Sequence, residues 1–167
     1  VSDAHNFYFF GLPTLNCWGV FLFMFDSLTT YLNNIKSISK KEIWLDSVNN
    51  DVLKEVVLLN TDEQLFNNGI DSDGDTLGDY SEVSVEVYGK PEGHIKLYDE
   101  GDFYESFKAT VNNNAIKIFA NDVGDYDQPL TVTYGIDILG LTEENTNIII
   151  DMLKSNYIKY LNEKLSR

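Results

Sequence analysis

The chain has 167 residues, 43% of them hydrophobic, and its 27 acidic residues outnumber 12 basic ones to give a formal net charge of -15. This length and apolar content suffice for one domain with its own core, while the negative charge opposes binding to nucleic-acid phosphates and to anionic membrane surfaces. Cys17 is the single cysteine, which excludes an internal disulfide and a multi-cysteine zinc site and favours a reducing compartment.

An uncharged run at residues 7–25 is about as long as a bilayer core is thick, which is typical of a membrane helix. The run contains two glycines and a proline, and no Lys or Arg precedes it. These features argue against both a membrane helix and a secretory signal peptide.

Three interpretations of this run stay open: upstream sequence read in frame ahead of a natural start at Met24, a membrane segment, and a peripheral hydrophobic arm. We favour the first because helical patterning begins abruptly at Asp26. We therefore expect residues 1–23 to be a hydrophobic extension and residues 24–167 to form a single domain.

Two helical segments are predicted in the first half of the chain. Asp26 is a suitable N-cap for the first, and Asn67, Asn68 and Gly69 end the second. Apolar residues recur at spacings of three and four in both. They are Leu28, Tyr31, Leu32, Ile35 and Ile38 in the first segment and Ile43, Trp44, Leu45, Val48, Val52, Leu53, Val56 and Val57 in the second.

An acidic segment at residues 71–82 follows and is close to the calcium-loop pattern D-x-D-x-D-G-x5-E. Its potential ligands are Asp71, Asp73, Asp75, Asp79 and Glu82. Thr76 stands where the sharp turn of that loop requires glycine, and a strand is expected after Glu82 where the calcium motif has a helix. The sequence thus favours a solvated turn joining a helix to a strand, with a calcium site as the alternative.

Period-two alternation predicts four strands in two antiparallel hairpins. The strands are residues 83–87, 95–97, 107–111 and 115–119. Three asparagines at 112–114 suit the turn of the second hairpin, because asparagine tolerates left-handed backbone. Residues 121–129 are polar and acidic, which predicts a surface loop.

The stretch at residues 97–107 places turn residues between apolar anchors. Gly101 tolerates positive φ, and the carboxylates of Asp99 and Asp102 can accept hydrogen bonds from nearby amides. These two carboxylates, with Glu105 and His94, would be the candidates for an acid/base set. In so acidic a chain we interpret them as turn residues on a solvated face.

Thr142 is a suitable N-cap for a closing helix, and Glu143 and Glu144 suit its positive N-terminus. The apolar residues Ile149, Leu153, Tyr157, Leu161 and Leu165 recur every four positions. Together these patterns predict an α+β fold with a helical N-terminal half, a small antiparallel β-sheet and a long C-terminal helix packed on the sheet.

No G-x-S-x-G, Gly-rich phosphate loop or H-E-x-x-H motif occurs in the chain. The signatures of nucleophilic, nucleotide and zinc chemistry are therefore missing, and we expect neither enzyme activity nor a cofactor.

Three segments, read in order, carry a resemblance to a known family: GIDSDGDTLGDY at residues 69–80, LYDEGDFYES at 97–106 and ILGLTEEN at 138–145. In this order they resemble the tailed-bacteriophage virion morphogenesis proteins of the tail-completion type, which act at the neck between head and tail. In the last two motifs, the residues to which we assign a structural role are Leu97, Asp99, Gly101, Asp102, Ser106, Leu139, Gly140, Leu141 and Thr142.

The resemblance implies a non-enzymatic structural protein that assembles with itself into a ring or collar and contacts other neck and tail proteins. It implies a place in the virion, and in the host cytoplasm during assembly, without a cofactor or direct contact with nucleic acid or membrane. The alternative function is a calcium-binding module built on residues 71–82.

Overall fold

The described part of the chain is α+β, mostly helical with one two-stranded antiparallel sheet, as predicted. The computed structural model describes residues 17–112, 114–121 and 128–166, with side chains from residue 25 onward. The chain divides into two compact units, residues 1–38 with 164–167 and residues 39–163. Residues 1–16, the larger part of the expected hydrophobic extension, lie outside the described residues.

Along the chain, helices precede and follow the two strands of the sheet. In order, the elements are α1 (Cys17–Ser37), α2 (Lys40–Ser47), α3 (Asn50–Leu58), a π-helix (Leu59–Asn68), α4 (Glu82–Tyr88), α5 (Asp102–Glu105), β1 (Lys108–Val111), β2 (Ile116–Phe119), α6 (Leu130–Tyr134), a 3-10 helix (Ile136–Leu139) and α7 (Glu143–Leu165).

Helix α1 is the first predicted helix, but it does not begin at Asp26. That residue lies in the helix interior, because the helix already runs through the apolar residues from Cys17 onward. The N-cap assignment was therefore wrong. No helix among the described residues combines the length and apolarity needed to cross a membrane.

The second helical segment is confirmed, but it is divided at residues 48 and 49. Ser39 caps α2 by accepting the backbone N–H of Glu42, and Asn49 Oδ1 caps α3 by accepting two backbone N–H groups. The helical run ends as predicted at Gly69, whose φ of 61° is left-handed.

The second predicted hairpin is confirmed as β1 and β2, with Ala109 opposite Ile118 and Val111 opposite Ile116. These four side chains pack against a core formed mainly by α3 and α7. The buried members of that core are Val48, Val52, Val56, Leu59 and Ile149. Most of the predicted surface loop, residues 122–127, lies outside the described residues.

The first predicted hairpin is wrong, because residues 83–87 belong to helix α4. Ser81 Oγ accepts the backbone N–H of Ser84, and Gly89 ends the helix with a φ of 65°. These two caps outweigh the alternating valines, which have no neighbouring strand to pair with among the described residues.

Residues 95–97 form no strand of the described sheet. The N–H of Lys96 donates to the hydroxyl of Tyr80, and its carbonyl accepts from the hydroxyl of Tyr104. Two tyrosines thus satisfy the backbone groups that a strand would have paired. Leu97 has a left-handed φ of 50°, which a strand does not adopt.

Helix α7 confirms the closing helix, and Thr142 caps it: Thr142 Oγ1 accepts the N–H of Asn145 at 3.3 Å. The predicted stripe is only partly buried, since Ile149 is buried whereas Tyr157 is exposed and Tyr160 is buried in its place. A helix has about 3.6 residues per turn, so residues spaced strictly four apart drift slowly around the helix axis. The buried face is therefore occupied by Tyr160, three residues after Tyr157.

Candidate functional site

Two of the three family-like motifs, at residues 97–106 and 138–145, contribute buried residues to one core cluster, and Leu77 of the third, at residues 69–80, packs against it. Its buried residues are Leu65, Phe103, Phe107 and Ile138, and Leu97 and Leu139 pack against them. The motifs therefore meet at a structural junction, to which the π-helix contributes the buried side chain of Leu65.

A buried polar network joins the π-helix to the segment before α7. Asn60 donates through Nδ2 to the carbonyl oxygens of Ile138 at 3.2 Å and Gly140 at 2.7 Å. Gln64 donates through Nε2 to the same Gly140 carbonyl at 3.0 Å. Both groups that accept from Asn60 are carbonyl oxygens, which cannot donate. The NH₂ group of Asn60 must therefore face them, and this fixes the orientation of its amide.

The same network anchors the first turn of α7. Gln64 Oε1 accepts the backbone N–H of Thr142 at 2.8 Å and Nδ2 of Asn145 at 2.9 Å. Asn145 also donates to the carbonyl of Leu59 at 3.3 Å. The side chain of Gln64 thus makes three hydrogen bonds inside the protein, which offset the cost of burying it.

The π-helical hydrogen-bond register explains why these polar side chains point to the same buried side of the helix. Hydrogen bonds in a π-helix run between residues five apart, so side chains four and five positions apart lie one above the other. Asn60, Thr61, Gln64 and Leu65 are all buried on that face. Thr61 Oγ1 donates to the carbonyl of Val57 at 2.9 Å, which supports the change of register.

Gly140 lies in close contact with the acidic segment. A Cβ at this position would stand 2.7 Å from Ser72 Cβ, and the N–H of Ser72 donates to the carbonyl of Asp137 at 2.9 Å. Gly140 has a φ of -151°, which any residue adopts, so close packing is the reason that glycine is needed here.

The acidic segment forms a tight turn at its start. Asp71 Oδ1 accepts the backbone N–H groups of Asp73 at 3.0 Å and Asp75 at 2.9 Å. Asp73, Asp75, Asp79 and Glu82 are exposed. Within the described ranges, no group of three or more His, Cys, Asp or Glu side chains is placed to hold a metal ion.

The motif at residues 97–106 forms a corner. Gly101, with a φ of 101°, precedes α5, which begins at Asp102. Asp99 accepts from Lys90 Nζ in an ion pair instead of capping the turn. Ser106 Oγ donates to the carbonyl of Phe103 at 2.6 Å and accepts the N–H of Asn121 at 2.7 Å, which connects the corner to the end of β2.

A cavity of about 460 Å³ opens beside this corner, lined by residues that include Tyr80, Lys90, Tyr98 and Tyr134. Burial, followed by the neighbouring Tyr80, raises the pKa of Tyr134. Burial is also the main reason that the pKa of Tyr104 is raised above its ordinary value, with smaller effects of nearby Tyr80, Asp62 and Tyr98. Both phenols therefore stay protonated at neutral pH, and that of Tyr104 donates to the carbonyl of Lys96.

The four groups considered as an acid/base set are brought together only in part. His94 Nε2 lies 3.0 Å from the carbonyl of Phe66, so this nitrogen carries the proton. Asp99 pairs with Lys90, while Asp102 and Glu105 are exposed at the two ends of α5. Asp99 and Asp102 both line the cavity beside the corner, whereas His94 and Glu105 are not among its lining residues.

The residues that hold the junction together, Asn60, Gln64 and Asn145, were not predicted from the sequence. Asn60 and Gln64 lie in the polar run NTDEQ at residues 60–64, and Asn145 lies in TEENTN at 142–147, so no sequence signal separates them from polar residues that face solvent. Comparison of the chain with protein-family models, with curated proteins and with solved structures gave no match in any of the three.

Proposed function

We propose that the protein is a non-enzymatic assembly protein of the head–tail neck of a tailed bacteriophage, of the tail-completion type. It acts by self-association and by contact with other neck and tail proteins, in the host cytoplasm during assembly and then in the virion. Its negative charge favours protein partners over nucleic acid or membrane surfaces.

The observation that carries this proposal is the exposed apolar face of α1. Five large apolar side chains on this helix are between 44% and 54% exposed: Phe25, Leu28, Tyr31, Leu32 and Ile35. They recur at spacings of three and four, so they form one stripe. A contiguous exposed apolar stripe of this kind marks a protein–protein contact.

The charge of α1 also suits self-association. Asp26 and Lys36 are its only charged residues, so the helix is formally neutral in a chain of net charge -15. Two copies can therefore approach through α1 with less repulsion than through their acidic surfaces.

The positions of the family-like motifs are also compatible with a structural role. Gly101 and Gly140 stand at corners beside a common core cluster, and the carbonyl of Gly140 accepts hydrogen bonds from Asn60 and Gln64. Such rigid corners hold a subunit in one shape, which repeated assembly requires.

The test is the mass of the purified chain by size-exclusion chromatography with light scattering, with negative-stain microscopy of any assembly. We expect discrete oligomers for the wild type and smaller species for Leu28→Glu/Leu32→Glu. The matched control Thr30→Glu/Asn33→Glu adds the same charge on the opposite side of α1 and should assemble like wild type. A wild-type chain that stays monomeric at about 50 µM, well above the Kd of a stable complex, would contradict the proposal.

A calcium-binding module is the second candidate function, and one observation favours it. A helix, α4, begins at Glu82, the last position of the loop pattern, where the sequence had suggested a strand. Thr76 at the sixth position weighs against it, as does the outward exposure of Asp73, Asp75 and Asp79. Calcium titration followed by thermal unfolding distinguishes the two functions.

A further inference from the structure

The outer face of the β1–β2 hairpin is a small cationic surface on an acidic protein. Lys108 lies opposite Phe119 and Thr110 opposite Lys117, and all four side chains are exposed. Residues 108–119 contain these two lysines and no acidic residue. We call Lys108, Thr110, Lys117 and Phe119 the hairpin face.

Helix α4 presents a surface of the opposite charge. None of its seven residues is buried, and Val83 and Val87 are 59% and 69% exposed. Glu82 and Glu86 are also exposed, and each pair, Glu82 with Glu86 and Val83 with Val87, lies one turn apart on the helix surface. We call Glu82, Val83, Glu86 and Val87 the α4 face.

The lack of buried residues on α4 requires explanation. A helix of two turns is marginal in water, and most helical stability in proteins comes from packing an apolar face. The caps at Ser81 and Gly89 hold the two ends of α4, but its valines belong to neither of the described core clusters. A partner that covers these valines would supply the missing packing.

We propose that the hairpin face of one copy of this chain docks on the α4 face of the next copy. Each face carries an apolar part and two like charges, and the charges are opposite in the two faces, so lysines meet glutamates while Phe119 meets the valines. This inference rests on the proposed self-assembly and adds a second contact to the one through the α1 stripe.

The geometry of assembly follows from the pairing. Because the two faces are different surfaces of the same chain, the contact is heterologous, head to tail. Repetition of such a contact gives a ring if the rotation closes and a filament if it does not. The acidic surroundings of the α4 face, with Asp73, Asp75 and Asp79 in the preceding loop, extend the electrostatic match and make it sensitive to salt.

Reciprocal charge reversal tests the contact by sedimentation velocity of the full chain. Lys108→Glu/Lys117→Glu makes the hairpin face negative, and Glu82→Lys/Glu86→Lys makes the α4 face positive. Each variant alone should self-associate at least about ten-fold more weakly than wild type. An equimolar mixture should recover assembly, because each variant then offers the face that the other lacks.

Lys40→Glu/Lys41→Glu on α2 is the control for a charge change elsewhere, and it should assemble like wild type. Because lysine opposes the dipole at the start of α4, Glu82→Gln/Glu86→Gln provides a second variant that removes charge without reversing it and should weaken assembly to a smaller degree. Circular dichroism establishes that each variant is folded. Raising NaCl from about 50 mM to about 500 mM should weaken the wild-type contact.

The outcomes separate this contact from the function on which it rests. A wild-type chain that assembles, loses assembly on Leu28→Glu/Leu32→Glu and is indifferent to both charge reversals overturns the hairpin–α4 contact alone. Failure of the mixture to recover assembly also overturns it. A wild-type chain that never self-associates overturns both the contact and the proposed function.

Discussion

Gln64 Oε1 accepts the backbone N–H of Thr142 at 2.8 Å, across 78 positions of sequence. A π-helix side chain thereby binds a backbone donor at the start of α7, while its own amide donates to the carbonyl of Gly140. This relationship fixes where α7 begins relative to the π-helix, and it couples the last family-like motif to the core.

Replacing Gln64 by glutamate should destabilise the protein at neutral pH. The carboxylate loses the donor to Gly140 and places a charge in a buried site, for an expected cost of about 3 kcal/mol or more in the free energy of unfolding. Urea denaturation measures this change in the free energy of unfolding. Gln128→Glu is the matched control, because Gln128 is exposed and the same change there should stay within about 0.5 kcal/mol.

The pH dependence of this variant has a definite sign. Burial raises the pKa of the new carboxyl in the folded state above its value in the unfolded chain, so the deficit is largest at pH values above the folded-state pKa. As the pH falls through that pKa, the protonated acid can donate to Gly140 and the deficit shrinks. A deficit that is unchanged at acid pH would show that loss of shape, and not charge, causes the effect.

The sequence predicted the elements whose local pattern agrees with their surroundings. The second hairpin and α7 were predicted because alternation, turn residues and caps all point the same way. Residues 83–87 were assigned wrongly because alternating valines indicate a strand, while Ser81 and Gly89 indicate a helix. No single-sequence pattern tells whether a neighbouring strand exists to satisfy the backbone.

The junction was beyond sequence reasoning for a different reason. Asn60 and Asn145 stand among other polar residues in helical segments, and such residues usually face solvent. Their role depends on the π-helical register, which turns Asn60 and Gln64 to the same buried side. That register is supported by contacts from distant residues such as Gly140, so it is a tertiary property.

Truncation of Ile149 should be costly because this side chain is buried against α3. Ile149→Ala is expected to lower the free energy of unfolding by about 2–5 kcal/mol. Ile158→Ala on the same helix is the control: Ile158 is 56% exposed and should change stability by about 0.5 kcal/mol or less. Leu153→Ala, at a half-buried position, should fall between them. Equal effects at Ile149 and Ile158 would mean that the buried face of α7 is assigned wrongly.

Gly140→Ala should destabilise through one steric contact. The added Cβ would meet Ser72, and the expected cost is about 1–3 kcal/mol. In a Ser72→Gly background the cost should fall to about half or less, because the opposing Cβ is gone. In a Ser72→Ala background it should persist, since that Cβ remains. Chemical denaturation of the double-mutant cycles measures the coupling, and additive effects in the Ser72→Gly cycle would contradict the packing.

Tyr104 should make stability fall at alkaline pH. Its folded-state pKa is raised above the ordinary value of 10.0, mainly by burial, so its contribution is complete below about pH 10 and is lost as the pH rises toward the folded-state pKa. Tyr104→Phe loses the hydrogen bond to Lys96, costing about 1 kcal/mol at neutral pH, and should flatten this alkaline decline. Tyr88→Phe, at a site 68% exposed, should change neither the stability at neutral pH nor the decline at alkaline pH. Denaturation curves between about pH 8 and about pH 11, spanning the ordinary tyrosine pKa, test the prediction.

Calcium should stabilise the protein only slightly. The exposed carboxylates of Asp73, Asp75 and Asp79 are not gathered around a common point, and Thr76 lacks the freedom that glycine gives the sixth loop position. By mass action, stabilisation of about 2.7 kcal/mol at about 100 µM free calcium corresponds to a Kd near 1 µM. Thermal and urea unfolding with calcium, and with magnesium as the control ion, should give a much smaller effect. Stabilisation of that size by calcium, abolished by Asp75→Asn, would establish the calcium module in place of a solvated acidic loop.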